Sequence, residues 1–363
     1  MSDETVPPPL PGHPTAPVVS GRCPVCGAAL AYGAGRSALV CGSCGNQVQI
    51  THDERDAVDE HSYSRWLADP HRYDVATLGG QVLTCEGCGA STETKDLAGS
   101  CQFCGGNLVA SVQPAGVIAP EGVLPFVVDS AQARGEFTRW VRSRWFAPGA
   151  LKKVGDTESI RGTYLPHWTF DARTTTEYVG QRGEHYTEKQ GDNEVRKTRW
   201  WPAAGTVDNV FDDLLVPASA TLPRNRVDDL GPWNLSLVQP YRPEYLVGHS
   251  AVRYDADPDA AFREAQQQME RVIRHDVEVD IGGDEQRIHH LDTRYADVMF
   301  KLVLLPIWIA TFMYAGRQWQ VMVNASTGEV VGDRPYSVPK IVAASIAGLV
   351  VLAVTIWVFT RSS

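Results

Sequence analysis

The sequence lacks the recurring motifs of several enzyme classes. It contains no G-x-x-x-x-G-K-[ST] phosphate-binding loop, no H-E-x-x-H motif and no G-x-S-x-G nucleophile elbow. The missing phosphate-binding loop argues against an ATP-driven motor, and we interpret the chain as non-enzymatic. The N-terminus also lacks the charged start and apolar run of a signal peptide, which argues against an oxidising, disulfide-forming compartment.

Basic residues are also outnumbered by acidic ones, 33 against 43, which gives a formal net charge of -10. Each tetrathiolate zinc centre would add about -2 to that count. The basic residues between Gly21 and Ala110 are few and unclustered: Arg22, Arg36, Arg55, Arg65, Arg72 and Lys95. An acidic chain without a basic face is a poor binder of nucleic-acid phosphates, so we do not expect DNA or RNA as a partner.

Cysteine is absent outside four copies of C-x-x-C-G. The copies hold all eight cysteines in two sets, Cys23, Cys26, Cys41 and Cys44, then Cys85, Cys88, Cys101 and Cys104. This spacing is typical of two structural zinc ribbons, each with four thiolate ligands and no open position. The glycine after each pair allows a positive φ, so that backbone amides can approach the sulfurs.

Other interpretations of the cysteines explain less. A redox C-x-x-C usually occurs once in a chain, whereas iron in place of zinc stays open. Three histidines lie near the cysteines, but each site already has four thiolates, so we do not expect His52, His61 or His71 to be ligands.

The order of composition along the chain predicts seven segments. They are a proline-rich leader (1–20), zinc ribbon 1 (21–52), a helical linker (53–78), zinc ribbon 2 (79–112), a duplicated α+β domain (113–337), a transmembrane helix (338–360) and a short tail (361–363).

The large domain repeats a pattern of helix, L-P-x-W and strands. One helix should begin after Asp129 or Ser130 and a second after Asp257-Pro258, since both starts carry good capping residues. The second helix should bury Phe262, Ala265, Met269, Val272 and Ile273. L-P-x-W occurs at 165–168 and 305–308, and the apolar run at 302–314 reads as a buried strand. The predicted fold class is therefore α+β, with two ribbons, a duplicated helix-plus-antiparallel-sheet domain and one C-terminal membrane helix.

The run from Ile341 to Thr360 contains twenty residues without a charge. At ~1.5 Å per residue it spans ~30 Å, the thickness of one hydrocarbon core. Arg334 and Lys340 precede it and Arg361 follows it, a slight excess of positive charge on the N-terminal side. Together with the thiolates, which favour a reducing compartment, this predicts a single-pass anchor with the bulk of the chain in the cytoplasm.

Two sets of polar residues could support acid–base chemistry. The first is His167, Trp168 and Asp171, and the second combines His289 and His290 with Asp284, Glu285 and Asp292. Histidines beside acids at strand ends are common in purely structural roles, so we assign no catalytic residue and no organic cofactor. A hydrolase using the second set ranks below the other hypotheses.

Several longer phrases support a family resemblance. They are RWFAP (144–148), YLPHWTFDA (164–172), YVGQRG (178–183), DDLLVPAS (212–219), GGDEQRIH (282–289), DTRYADV (292–298) and VNASTGEVVG (323–332). With the paired ribbons they resemble a bacterial family of membrane-linked, transcription factor IIB-type zinc-ribbon proteins. Members are often labelled primosomal protein N′ (replication factor Y) or superfamily II helicase, a label that the cysteine pairs alone would produce.

The resemblance implies an adaptor at the inner face of the membrane. Relatives are similar to partners of phage-shock protein A and of flotillin-like proteins in envelope-stress systems, so the expected partners are proteins of this kind and the lipid bilayer. The alternative is a replication or transcription accessory protein that binds nucleic acid without motor activity. The family supplies no catalytic residues to carry over.

Overall fold

The computed structural model describes residues 22–51, 57–70, 74–75, 81–85, 90–94, 99–101, 103, 107–110, 117–144, 160–190, 193–314, 317–332 and 338–362. The predicted leader, residues 1–20, lies outside these ranges, as do Cys88 and Cys104.

The N-terminal third consists of short elements. They are β1 (Leu30–Tyr32), β2 (Ala38–Cys41), β3 (Gln47–Gln49), β4 (His61–Ser62), α1 (Tyr63–Ala68), β5 (Asp74–Val75), β6 (Gln81–Cys85), β7 (Ser91–Thr94), β8 (Gly99–Ser100), β9 (Asn107–Ala110), β10 (Val117–Ile118) and β11 (Gly122–Val123). Within the predicted helical linker, 53–78, the described residues form the six-residue helix α1, which ends before Pro70, and the short strands β4 and β5, so the prediction of a helix holds for Tyr63–Ala68 and is wrong for the two strands.

The body contains the long elements. They are α2 (Ser130–Arg142), β12 (Ile160–Gln190), β13 (Asn193–Pro217), α3 (Arg224–Asp229), β14 (Gln239–Pro240), β15 (Ser250–Val252), α4 (Pro258–Ile281), β16 (Glu285–Tyr314), β17 (Arg317–Asn324) and β18 (Val330–Gly332). Two 3-10 turns, Leu235–Leu237 and Pro243–Leu246, lie between α3 and β15. Helix α5 (Val338–Ser362) is the last element described.

Strands β12 and β16 form an antiparallel pair at the centre of a 13-stranded mixed sheet. The two L-P-x-W motifs face each other there, because Leu165 pairs directly with Leu305. The predicted buried strand is confirmed, since the part of β16 between Leu302 and Ala310 is almost fully buried. Strand β16 forms a hairpin with β17, and the side chain of Asn324 accepts from the amide of Ser326 in the turn that follows.

The outer halves of β12, β13 and β16 extend as a long three-stranded arm. Helix α4 packs along one face of the arm, with its apolar side chains recurring every three or four residues. Both predicted helix starts are confirmed, because Asp129 and Asp257 each accept a backbone N–H three residues on. The prediction for Val272 is wrong, because this side chain is 46% exposed. The buried apolar face of α4 passes through Met269 and Ile273 instead.

One set of backbone hydrogen bonds occurs twice about the central pair. The carbonyl of Pro166 accepts from the amide of Ala218, and the carbonyl of Pro306 accepts from the amide of Ala325, both at 3.0 Å. The carbonyls of Ala218 and Ala325 then accept from the segment just before α4 and just before α2, respectively. Each helix is therefore attached to the sheet at an equivalent place.

The tryptophans of the two L-P-x-W motifs repeat this equivalence. The indole of Trp168 donates to the carbonyl of Ala256 at 2.9 Å, and the indole of Trp308 donates to the carbonyl of Val128 at 2.8 Å. Both carbonyls belong to the residue that precedes a helix N-cap. Trp168 follows α2 in sequence, but its indole bonds to the residue before the N-cap of α4. Trp308 follows α4, but its indole bonds to the residue before the N-cap of α2. Each tryptophan therefore contacts the helix of the other repeat.

The two ribbons lie against opposite faces of the sheet. Neighbouring residues on a strand point to opposite faces. Tyr164 packs in one cluster with ribbon 1, whereas Leu165 packs in another with ribbon 2. Ribbon 2 also joins the sheet edge, because β7 pairs with β15.

The last helix, α5, is long and apolar enough to cross a membrane. Its window from Ala344 to Arg361 has a mean hydropathy of 1.9, and none of it is buried by the rest of the protein. The side chain of Arg361 lies over the ring of Trp357, the aromatic residue that we expect near one interface.

Candidate metal centre

Four cysteines of ribbon 1 converge as the sequence predicts. The sulfurs of Cys23, Cys26, Cys41 and Cys44 all lie within 4.8 Å of one another. Cys23 Sγ is 3.6 Å from Cys44 Sγ, and Cys26 Sγ is 3.5 Å from Cys41 Sγ. Four sulfurs at about 2.3 Å from a tetrahedral zinc lie about 3.8 Å apart, so the donor set fits one such ion. The four thiols are free and form no disulfide.

The two C-x-x-C-G turns of ribbon 1 have the same backbone. Gly27 and Gly45 both adopt a φ of 73°, the conformation that the sequence requires of them. The amide of Gly27 donates to the carbonyl of Cys23, and the amide of Gly45 donates to the carbonyl of Cys41, each at 2.9 Å. The first cysteine of each turn donates to the residue five positions on, Ala28 or Asn46. Each turn therefore presents two sulfurs from a closed loop.

Backbone amides lower the thiol pKa of two cysteines of the cluster, Cys23 and Cys41. The amides of Cys44 and Ser43 lower the pKa of Cys41 to about 6, and the amide of Cys26 lowers the pKa of Cys23. The amide of Asn46 also favours the Cys44 thiolate, but the neighbouring thiols of Cys26 and Cys23 raise the pKa of Cys44 to about 12. Four thiolates at this distance therefore call for a cation among them.

The inner side of ribbon 1 is part of the protein core. Cys23 and Cys41 are buried with Phe126 and Tyr245, whereas Cys26 and Cys44 are exposed. Backbone bonds fix the same contact, since Tyr32 donates to Val247 and Gly35 to Phe126 at 2.8 and 2.7 Å. Ribbon 1 therefore packs against the rest of the protein through its inner side, and its two C-x-x-C-G turns are exposed to solvent.

Ribbon 2 is described in part. Cys85 and Cys101 are buried in one cluster with the sheet, and Cys88 and Cys104 fall outside the described residues. The amide of Cys85 donates to the carbonyl of Ala90 at 2.9 Å, the same bond that the first cysteine of each ribbon 1 turn makes. The second predicted set of ligands stays a prediction.

The structure separates the first predicted polar set, His167, Trp168 and Asp171. His167 is 3% exposed, its Nδ1 lies 3.2 Å from the carbonyl oxygen of Leu165, and burial lowers its pKa to about 4. Trp168 holds α4 instead of lining a site. Asp171 is four residues from His167 on an extended strand, about 13 Å away along the chain.

The second predicted set is also divided. His289 and His290 are exposed on the arm, where His289 is the extra residue of a bulge, and Asp292 is exposed too. Asp284 and Glu285 contact His185, with Glu285 Oε1 2.7 Å from His185 Nε2, and His185 lowers the pKa of both carboxyl groups. The acids therefore face a histidine of another strand.

A polar cluster that sequence reasoning missed surrounds Lys301. Its Nζ lies 2.7 Å from Glu60 Oε1 and 2.7 Å from Asp213 Oδ1, and Asp171 completes the group. The three acids come from positions 60, 171 and 213, so no local spacing connects them. The sequence feature that could have indicated this cluster is Lys301 itself, a charged residue directly before the apolar run at 302–314.

Comparison with known proteins gives one relative and no family. Uncharacterized protein YdjG of Bacillus subtilis (strain 168) is 25% identical over 341 residues, which cover 93% of this chain and 96% of the relative. No family model matches the chain, and no solved structure matches it. The similarity therefore extends over nearly the whole length of both chains.

Proposed function

We propose that this protein is a non-enzymatic, membrane-anchored zinc-ribbon adaptor that docks other proteins from the cytoplasm. One observation carries the proposal: the four-thiol cluster of ribbon 1 is fastened to a rigid body by its inner side and exposes both of its turns. A closed site with four protein donors leaves no position for substrate, which suits a structural ion.

Zinc is the ion that the donor set favours. Four thiolates in a tetrahedron are the typical ligands of structural zinc, and each ribbon is too small to bury a sufficient apolar core alone. We extend the same assignment to ribbon 2, so that the chain holds two ions through its eight cysteines.

Helix α5 and the thiols support the proposed membrane topology. The apolar window of α5 from Ala344 to Arg361 is not buried by the rest of the protein and needs a bilayer or a partner to cover it. Reduced thiols and the positive charge before the helix support a cytoplasmic body. The repeated Pro–Ala and Trp–carbonyl contacts support a tandem duplication of this body, which would give the two ribbons a rigid common base.

The partner surface that we propose is the solvent side of the ribbon 1 turns. Val25 lies between the two cysteines of the first turn and is 72% exposed. Burial of this exposed valine by a partner would stabilise the contact, because its apolar surface would be removed from water. Phage-shock protein A and flotillin-like proteins are the first partners to examine, as the family resemblance implies.

The test compares two matched surface variants in membranes. Full-length protein carrying Val25→Asp or Val210→Asp is crosslinked and purified beside the parent, and each candidate partner is measured. Val210 is 78% exposed on the arm, so it controls for an added surface charge. We expect Val25→Asp to reduce partner recovery at least tenfold with the zinc content unchanged, and Val210→Asp to have no effect.

Equal recovery with all three proteins would contradict the docking role of ribbon 1. Recovery of DNA or RNA in place of protein, lost at raised salt, would replace the adaptor with a nucleic-acid-binding function.

A further inference from the structure

Strand β13 forms one edge of the three-stranded arm. In the part of the chain that the structure describes, it pairs on one side only, with β12. A strand that pairs on one side leaves backbone N–H and C=O groups on its other side for pairing with another chain. This edge is 25 residues long, whereas a typical strand has about five or six.

The charges of β13 are sorted by sign along the strand. Its first half carries three basic residues and one acid, and its second half, from Ala204, carries three acids and no basic residue: Arg196, Lys197, Arg199 and Glu194, then Asp208, Asp212 and Asp213. Asp213 contacts Lys301, whereas Asp208 and Asp212 are exposed. Two antiparallel copies of β13 would place each basic half beside the acidic half of the other copy, which is stabilising, and parallel pairing would oppose like charges.

Helix α4 exposes two valines on the side that contacts β13. Its residues Gln268 and Asp276 both bond to residues of β13. Val272 is four residues from each of them and Val279 follows two turns later, so both valines lie on the same flank of the helix. Val272 is 46% exposed and Val279 is 66% exposed. The flank of α4 next to the open edge therefore offers apolar surface.

Trp201 of β13 lies on the same face of the arm as α4. Ala203 and Val207 pack against the cluster that α4 forms with the arm, and alternate residues of a strand point to one face. The last turn of α4 reaches Gly205, where a Cβ would lie 3.0 Å from Asp280 Oδ2. Trp201 therefore lies beyond the end of the helix, and it is 49% exposed.

We propose that two copies of this protein associate through their β13 edges, antiparallel and about a twofold axis. The sign of the charge changes between Arg199 and Asp208, which places the axis near the middle of the strand. Helix α4 runs opposite to β13 and lies over its acidic half. Antiparallel pairing therefore brings Trp201 of each copy to the valine-bearing flank of α4 in the other. Pro202 has no N–H and removes one backbone bond near the axis, so side-chain contacts set the specificity.

The experiment measures the mass of the full-length protein in density-matched detergent micelles by sedimentation equilibrium over a range of protein concentrations. Asp212→Lys reverses a charge in the acidic half of β13, and Val279→Asp places a charge on the flank of α4. Asp292→Lys, on β16 at the far side of the arm, and Val25→Asp, on ribbon 1, make the same two changes elsewhere and are the matched controls. All four positions are exposed, and near-UV circular dichroism verifies folding.

We expect the parent protein to form a dimer whose dissociation constant rises with salt, because exposed opposite charges are screened. Asp212→Lys and Val279→Asp should each weaken the dimer at least tenfold, with both controls unchanged. If one variant does not fold, the other decides. A parent protein that stays a single chain at every concentration would overturn the proposal. So would a dimer that both variants leave intact, since its contact would then lie elsewhere, for example on α5.

Discussion

Replacing His249 with phenylalanine should make the protein more resistant to acid. The ring of His249 stacks on Phe126, with centroids 4.1 Å apart and planes inclined by 11°, and it meets Tyr164 and Trp308 edge-on. Both ring nitrogens are buried, and neither has a hydrogen-bond partner among the residues that the structure describes. Burial lowers the pKa of His249 to about 4.

The size of the effect follows from proton linkage. An unfolded histidine has a pKa of about 6.5, so the unfolded chain takes up the proton first as the pH falls. The free energy of unfolding therefore decreases from pH 6.5 towards pH 4, and at pH 5 the loss attributable to His249 is about 2 kcal/mol. His249→Phe keeps the stacked ring and removes this loss, together with two unsatisfied nitrogens.

The assay is urea unfolding of the full-length protein in micelles, followed by near-UV circular dichroism at pH 7 and pH 5. His289→Phe is the control, because His289 is exposed on the arm. We expect the difference in unfolding free energy between His249→Phe and the parent to grow by about 2 kcal/mol from pH 7 to pH 5. A difference that stays constant with pH, or an equal gain for His289→Phe, would refute the reasoning.

Three further outcomes are expected. Gly162→Ala should lower the urea midpoint and cost about 1–3 kcal/mol, because its Cβ would lie 2.2 Å from His249 Nδ1, and the cost should shrink in a His249→Ala background. Trp168→Phe and Trp308→Phe each delete one indole bond before a helix, so both should destabilise by about 2–4 kcal/mol, and a neutral result for either would exclude equivalent roles. Asp171→Asn should raise the free energy of unfolding more at pH 7 than at pH 4. The pKa of the Asp171 carboxyl is raised to about 6 in the folded protein, so its ionisation destabilises the native state as the pH rises from 4 through 6. Parallel profiles of unfolding free energy against pH for variant and parent would argue against this.

Local chemistry made part of this fold predictable. The two C-x-x-C-G turns of ribbon 1 and the capped starts of α2 and α4 follow from two to five adjacent residues, and the structure has them where the sequence places them. The apolar C-terminal run is equally readable, because its length and lack of charge suffice.

Features that depend on distant residues were not predictable in the same way. The pairing of β12 with β16 joins residues more than a hundred positions apart, and nothing local fixes its register. The crosswise contacts of the two tryptophans are hidden for the same reason, although the repeated L-P-x-W was visible. The cluster around Lys301 draws one acid from the linker and two from different strands, so only the folded chain brings Glu60, Asp171 and Asp213 together.

The most direct test of the central claim is the metal content of the full-length protein, purified in micelles without chelators and measured by mass spectrometry against protein concentration. We predict two zinc ions per chain. Cys44→Ser should reduce the count to one, whereas Ser43→Ala, at the neighbouring position in the same turn, should keep both. Less than one zinc per chain in the parent protein, iron in its place, or two ions in Cys44→Ser would contradict the account.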